Sequence, residues 1–98
     1  MKLQMHSIKF DADSRLLGLV QKKMDKLETF FDRIIDGEVF FRLNNEGIKN
    51  KTVEIKLNIP GEQLFAIASD KSFEAATDEA VEALRRQLKK FKDKVLSH

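Results

Sequence analysis

The densest set of chemically capable side chains in the sequence is RRQLKKFKDK, residues 85–94, which holds six Lys or Arg and a single Asp. Read as a helix, it places Arg86, Lys90 and Lys94 at i, i+4 and i+8 on one ridge, while Arg85, Lys89 and Lys92 border the other flank of the same apolar stripe. Each step along such a ridge rises about 6 Å, which resembles the spacing of phosphates along a nucleic-acid strand. Each cation that neutralises a phosphate there releases a condensed counterion. The preceding residues, 70–84, carry five acids and one lysine, so the two halves of this stretch are oppositely charged. A helix macrodipole favours that order on its own, but one or two cations would satisfy it. Arg15, Lys22, Lys26 and Arg33 recur on the outer face of an earlier helical segment, with Lys23 on its flank. Two helices lying on one face of a sheet would frame a basic channel from these two sets, which points to phosphate binding.

Other chemistries have little to work with. Cysteine is absent, which excludes a disulfide scaffold, a thiol nucleophile and a zinc site with Cys ligands. His6 and His98 make no metal cluster. Ser7, Ser14, Ser69, Ser72 and Ser97 stand in no nucleophile motif, and the neighbours His6 and Ser7 would point to opposite faces of a strand, the wrong geometry for a dyad. Asp11 with Asp13 reads as helix N-terminal decoration, and Glu79 with Glu82 as a solvated face, rather than as acid–base pairs. The four glycines are isolated, so no phosphate loop is present. No enzyme, metal or cofactor is expected.

With 98 residues the chain reads as one domain, 1–98, large enough for a single core but with little room for a deep substrate cavity. Its 18 basic and 16 acidic residues leave a net charge of only +2, yet local density, not the total, decides phosphate binding. No apolar run approaches the roughly 18 residues of a membrane span, and Met1-Lys2-Leu3-Gln4 begins no signal-peptide core. A cytoplasmic protein, mature as written, is the expectation.

The elements that must position the cations follow from periodicity. Leu17, Val20, Met24, Leu27 and Phe31 recur at spacings of three and four, predicting a helix from Asp13 to about Phe31, capped by Asp13 or Ser14. Asp36-Gly37 marks its end region and a turn. Lys2 to Met5 alternate, and Ile8 and Phe10 continue with the phase shifted by one, which predicts a strand with a bulge or break near His6-Ser7. Three further period-2 runs follow: Val39, Phe41 and Leu43; Val53, Ile55, Leu57 and Ile59; Leu64, Ala66 and Ala68. Asn44-Asn45-Glu46-Gly47 and Pro60-Gly61 supply the turns of an antiparallel meander. From Ser72 to Val95 the stripe Phe73, Thr77, Ala80, Leu84, Leu88, Phe91, Val95 predicts the longest helix.

The order is therefore β-α-β-β-β-α, an α+β two-layer sandwich in which two helices cover one face of a four-stranded sheet. The first two strands should be parallel, joined through the first helix by a right-handed crossover. Phe30, Phe31, Phe73 and Phe91 sit at core spacing. Phe40, Phe65 and Ile67 fall on the open face, where they would serve base stacking or, more in keeping with an apolar patch, be partly covered or mediate self-association.

KLETFFDRI at residues 26–34 and SFEAATDEAVEALRRQLKKFKDK at residues 72–94 resemble the ribosome hibernation-promoting factors, also called the ribosome-associated inhibitor or sigma-54 modulation family. The resemblance covers essentially the whole chain. It implies the same β-α-β-β-β-α sandwich, similar to double-stranded RNA-binding domains. It also implies binding to 16S rRNA of the small ribosomal subunit near the decoding centre, where mRNA and tRNA are excluded, so that translation is inhibited when growth slows. The basic positions that match the motifs are Lys23 and Lys26 on the first helix and Arg86, Lys90 and Lys94 on the second. Lys22, Arg85, Lys89 and Lys92 are added from the local charge alone. Ser72-Phe73-Glu74 departs from the Asp-Met-Tyr of many members, so a contact made by that tyrosine has no counterpart. The chain looks like a short form, without the C-terminal domain of long members, and the resemblance leaves room for a second hibernation factor as partner. The rival from another class is a protein-interaction or dimerisation module that uses the open sheet face. A free double-stranded RNA binder follows from fold analogy alone.

Overall fold

The first helix begins where a carboxylate can satisfy an orphaned amide: Asp13 accepts a hydrogen bond from the Leu16 N–H at 2.8 Å. In a computed structural model of the chain, which describes residues 1–44 and 47–96, the elements are β1 (Leu3–Ile8), α1 (Ser14–Phe30), β2 (Asp36–Leu43), β3 (Lys51–Ile59), β4 (Glu62–Asp70) and α2 (Phe73–Leu96). The second helix is capped in the same way, the Ala75 N–H donating to Ser72 Oγ at 3.0 Å. The strands form one sheet in the order β1-β2-β3-β4. The β1–β2 pair is parallel and the other two pairs are antiparallel.

Alternation along the strands puts Val39, Phe41, Val53, Ile55, Leu57, Leu64 and Ala66 on one face. Val20, Met24 and Leu27 of α1 close over it together with Ala80, Leu84 and Leu88 of α2, in a single buried cluster. The helices run in the same direction, because contacts between them keep a constant offset: Lys23 meets Asp78, and Phe30 meets Arg85. Past Arg85, α2 continues to Leu96 while α1 has already ended at Phe30. The basic half of α2 thus lies largely beyond the end of α1.

Several expectations need correction. β1 has no bulge, since Leu3↔Gly37 to Ile8↔Arg42 pair without interruption. The phase shift has another origin: Ile8 is the last strand residue, Lys9 takes a left-handed conformation (φ 68°), and the chain turns so that Phe10 stacks on Phe73 at 4.9 Å. Asp36-Gly37 is the start of β2 rather than a turn, and a Cβ on Gly37 would come within 2.9 Å of Leu3 Cδ1. Leu43 and Val95 lie at the right phase for the core but are 38% and 46% exposed. Leu43 sits where the sheet runs out from under α2, whose first residue, Phe73, meets β2 at Phe41, edge-on at 5.7 Å. Val95 lies beyond the other end of the sheet. At Pro60-Gly61 the turn is as expected, with Ile59 paired to Glu62 and Gly61 at φ 78°. Of the predicted Asn44–Gly47 turn, Asn45 and Glu46 lie outside the described residues.

Candidate nucleic-acid interface

The helix layer carries the basic residues, and α1 sorts them by side. Asp25 and Glu28 face β1 and pair with the Met1 amine, whereas Lys22 points outward and Lys23 and Lys26 turn toward α2. The groove between the helices has a volume of about 520 Å³ and is lined by Lys23, Lys26 and Thr29 on one wall and Asp78, Glu82 and Arg85 on the other. Phe30 closes its far end, where the Arg85 guanidinium lies 5.2 Å and the Lys92 ammonium 4.5 Å from the ring centroid. Lys92 also donates to the Phe30 carbonyl at 3.0 Å. That carbonyl belongs to the last turn of α1, where no intrahelical donor remains, so Lys92 caps α1 from α2.

The structure thus brings together Lys23, Lys26, Arg85 and Lys92. Lys89 is exposed on the same flank of α2, while Arg86, Lys90 and Lys94 follow a separate ridge. Arg86 shares a shallow concavity with Asp78, Glu79 and Glu82, and Lys90 and Lys94 border a depression beside Glu62 and Leu64 of β4. Arg33, beyond the end of α1, joins Lys92, Phe91 and Val95 around a second groove of about 340 Å³, and Arg15 is exposed at the start of α1. The expected channel between the helices exists, but its charge is mixed.

The acids are the feature that charge counting misses. Asp78 forms an ion pair with Lys23, and Glu82 follows one turn later on the same wall. Both were legible, being seven and three residues before Arg85 and so on its side of the helix. At the end of β4, Asp70 accepts the Lys71 N–H at 2.7 Å, which with a hydrogen bond from Glu79 holds its carboxyl below the usual range. The same hydrogen bond raises Glu79. Along its α2 wall the groove passes from Asp78 and Glu82 to Arg85, with Lys92 beside Phe30 at the far end. Phe30 was assigned to the core by spacing; it packs there only in part and also meets the two cations.

On the opposite face, Phe40 is partly buried. His6 stacks on it at 4.9 Å and donates through Nε2 to the Glu38 carboxylate at 2.9 Å, while Lys56 and Arg42 lie 5.4 and 5.9 Å from its centroid. Its ring is occupied, which removes it as a platform for bases. Phe65 and Ile67 stay 46% and 56% exposed. The β4 edge beside them is partly guarded, as Gln87 of α2 donates to the Phe65 carbonyl at 2.8 Å. Among the described residues no group of three or more His, Cys, Asp or Glu side chains could hold a metal ion, and no helix is long and apolar enough to cross a membrane.

Two parallel helices on one face of a β1-β2-β3-β4 mixed sheet, with cations gathered at one end of the helix layer, define a class of small α+β sandwich. The chain belongs to the Sigma 54 modulation protein / S30EA ribosomal protein family, whose model matches residues 3–96. It is 33% identical over 98 residues to the ribosome hibernation promoting factor of Escherichia coli K12, with all of both chains covered. With the ribosome hibernation promotion factor of Deinococcus radiodurans it shares 35% identity over 81 residues, which cover 79% of this chain and 41% of that protein. A ribosomal subunit interface protein from Coxiella burnetii has the same fold, with a TM-score of 0.85 and 27% identity over 94% of this chain and 98% of that one.

Proposed function

We propose that this protein is a cytoplasmic ribosome hibernation factor that lays its helix layer on 16S rRNA of the small subunit near the decoding centre. It would act by occupying space that mRNA and tRNA need, without catalysis, and so inhibit translation when growth slows. The observation that carries the reading is the convergence of Lys26, Arg85 and Lys92 at one end of the inter-helix groove, with Arg86, Lys90 and Lys94 on the adjoining ridge. Lys22, Lys23 and Lys89 extend this surface. The family membership and the names of the relatives support the same partner.

The test is co-sedimentation with vacant ribosomes and separated subunits across a salt series. Wild-type protein should bind the small subunit saturably, and the combined Arg86→Glu, Lys90→Glu, Lys94→Glu variant should not, while keeping its fold by circular dichroism. Retained binding by the variant would exclude this ridge as the contact.

A second reading places a protein partner on the open sheet face, favoured by the exposure of Phe65 and Ile67. On that reading Phe65→Asp abolishes association and the charge reversal leaves it intact.

A further inference from the structure

We infer that Phe30 is a positioning residue for the phosphate-binding surface, its ring and backbone carbonyl holding Arg85 and Lys92 in place before RNA arrives. The inference rests on the ribosome-binding reading above and adds to it a residue that carries no charge.

Lysine and arginine on a solvent-exposed helix sample many rotamers, and ordering each one on binding opposes association. Lys22, Lys26 and Lys89 are such side chains, with no partner among the described residues. Arg85 and Lys92 are different. Both lie against one aromatic ring, at 5.2 and 4.5 Å from its centroid, and Lys92 is anchored a second time by the Phe30 carbonyl at 3.0 Å. The ring attracts them through its negative face. What this contact leaves available matters more than its strength. A guanidinium over a ring offers its π surface to the ring and keeps its in-plane N–H donors for an oxyanion. An ammonium has three donors, of which the Phe30 carbonyl takes one. The clamp therefore restrains both cations without consuming their capacity for phosphate.

The location of the anchor is itself fixed. Phe30 is the last residue of α1, its neighbour Phe31 is buried in the core at 7% exposure and meets Phe91 edge-on at 5.6 Å. The Phe30 backbone cannot drift, and Arg85 and Lys92 are held at the mouth of the inter-helix groove. An acidic contact would restrain the cations as well, as Asp78 does for Lys23, but would compete with phosphate; a phenyl ring does not.

The experiment measures affinity for vacant small ribosomal subunits at fixed salt for Phe30→Leu, Phe30→Tyr, the Arg85→Ala/Lys92→Ala pair, and that pair combined with Phe30→Leu. Phe30→Leu should weaken binding about five- to tenfold, and Phe30→Tyr should stay within about twofold because the ring remains. Added to the Arg85→Ala/Lys92→Ala pair, Phe30→Leu should have no further effect, since the residue acts only through those two cations. A loss from Phe30→Leu that persists in that background, or no loss in wild type, overturns the inference. NMR of the free protein gives a readout that needs no ribosome: Arg85 Hδ and Lys92 Hε resonances should be ring-shifted in wild type and return to ordinary positions in Phe30→Leu, with the remaining spectrum folded. Unshifted resonances in wild type overturn the clamp alone, whereas wild-type protein that shows the shifts yet binds no small subunit overturns the ribosome reading and the phosphate role with it.

Discussion

Asp78 shows what a single carboxylate does on a basic surface. It holds Lys23 across the inter-helix groove, so a phosphate that needs Lys23 must displace an anion already there. Asp78→Asn should tighten binding to the small subunit and steepen the salt dependence by about one counterion. The ion pair is partly exposed, so thermal stability should change by less than about 1 kcal/mol. Weaker binding by this variant would show that Asp78 organises the groove rather than competing in it. Asp25 supports a pH prediction of the opposite kind, on the side away from the groove. Gln21 donates to its carboxylate at 2.9 Å and the Met1 amine lies at 3.1 Å, which lower its pKa from the ordinary 3.8. A lowered folded-state value contributes stability above pH 3.8 that is lost as pH falls through the folded value. Urea midpoints of wild type and Asp25→Asn should therefore differ near neutrality and converge below that pH; a constant gap would mean that the amide loses packing rather than charge.

α2 does two jobs as an element, and the variants must separate them. Its acidic start and basic end complement the macrodipole while its last turns present Arg86, Lys90 and Lys94. Reversal to Glu opposes the dipole as well as the phosphates, whereas substitution of all three by Gln removes only the charge. The Gln variant should keep its thermal midpoint within the equivalent of about 1 kcal/mol and lose roughly two to three units of salt slope; an unchanged slope would remove this ridge from the interface. Both helices, the cap of the first and the meander were legible in the sequence, because apolar spacing and short capping side chains are local signals. Their buried stripes Val20–Met24–Leu27 and Ala80–Leu84–Leu88 lie where periodicity puts them. Two of the errors fall where an element outruns its partner. Leu43 and Val95 keep the apolar phase, but no layer lies above them, and the relative lengths of sheet and helix are not written in either one's own pattern. The same holds for the site. The cations could be counted, but that Asp78 faces Lys23 and that Phe30 sits beneath Arg85 and Lys92 depend on the stagger of two parallel helices, which tertiary packing sets.

At the scale of the molecule, the two faces differ in what they can bind, and salt separates them. The chain measures 47 by 24 by 18 Å, its long dimension owed to the 24 residues of α2, which at about 1.5 Å each span most of it. A net charge of +2 acting as a whole would give a weak dependence of affinity on salt. A local array of about six engaged cations gives a log–log slope on the order of −4 to −5, and the arrangement of Lys26, Arg85 and Lys92 with the outer ridge is such an array. The open face, by contrast, mixes Lys56 and Arg42 with Glu38 and Glu54 around Phe40, and Arg42 approaches Glu54 at 3.6 Å. Its charges are internally balanced, so an association through Phe65 and Ile67 would be driven by apolar burial and respond little to salt. The expected result for wild type is the steep slope with small subunits, unchanged by Phe65→Asp, since that side chain lies on the far side of the sheet from both helices. A shallow slope abolished by Phe65→Asp would assign the interaction to the sheet and leave the basic helix layer to solubility and the helix dipole.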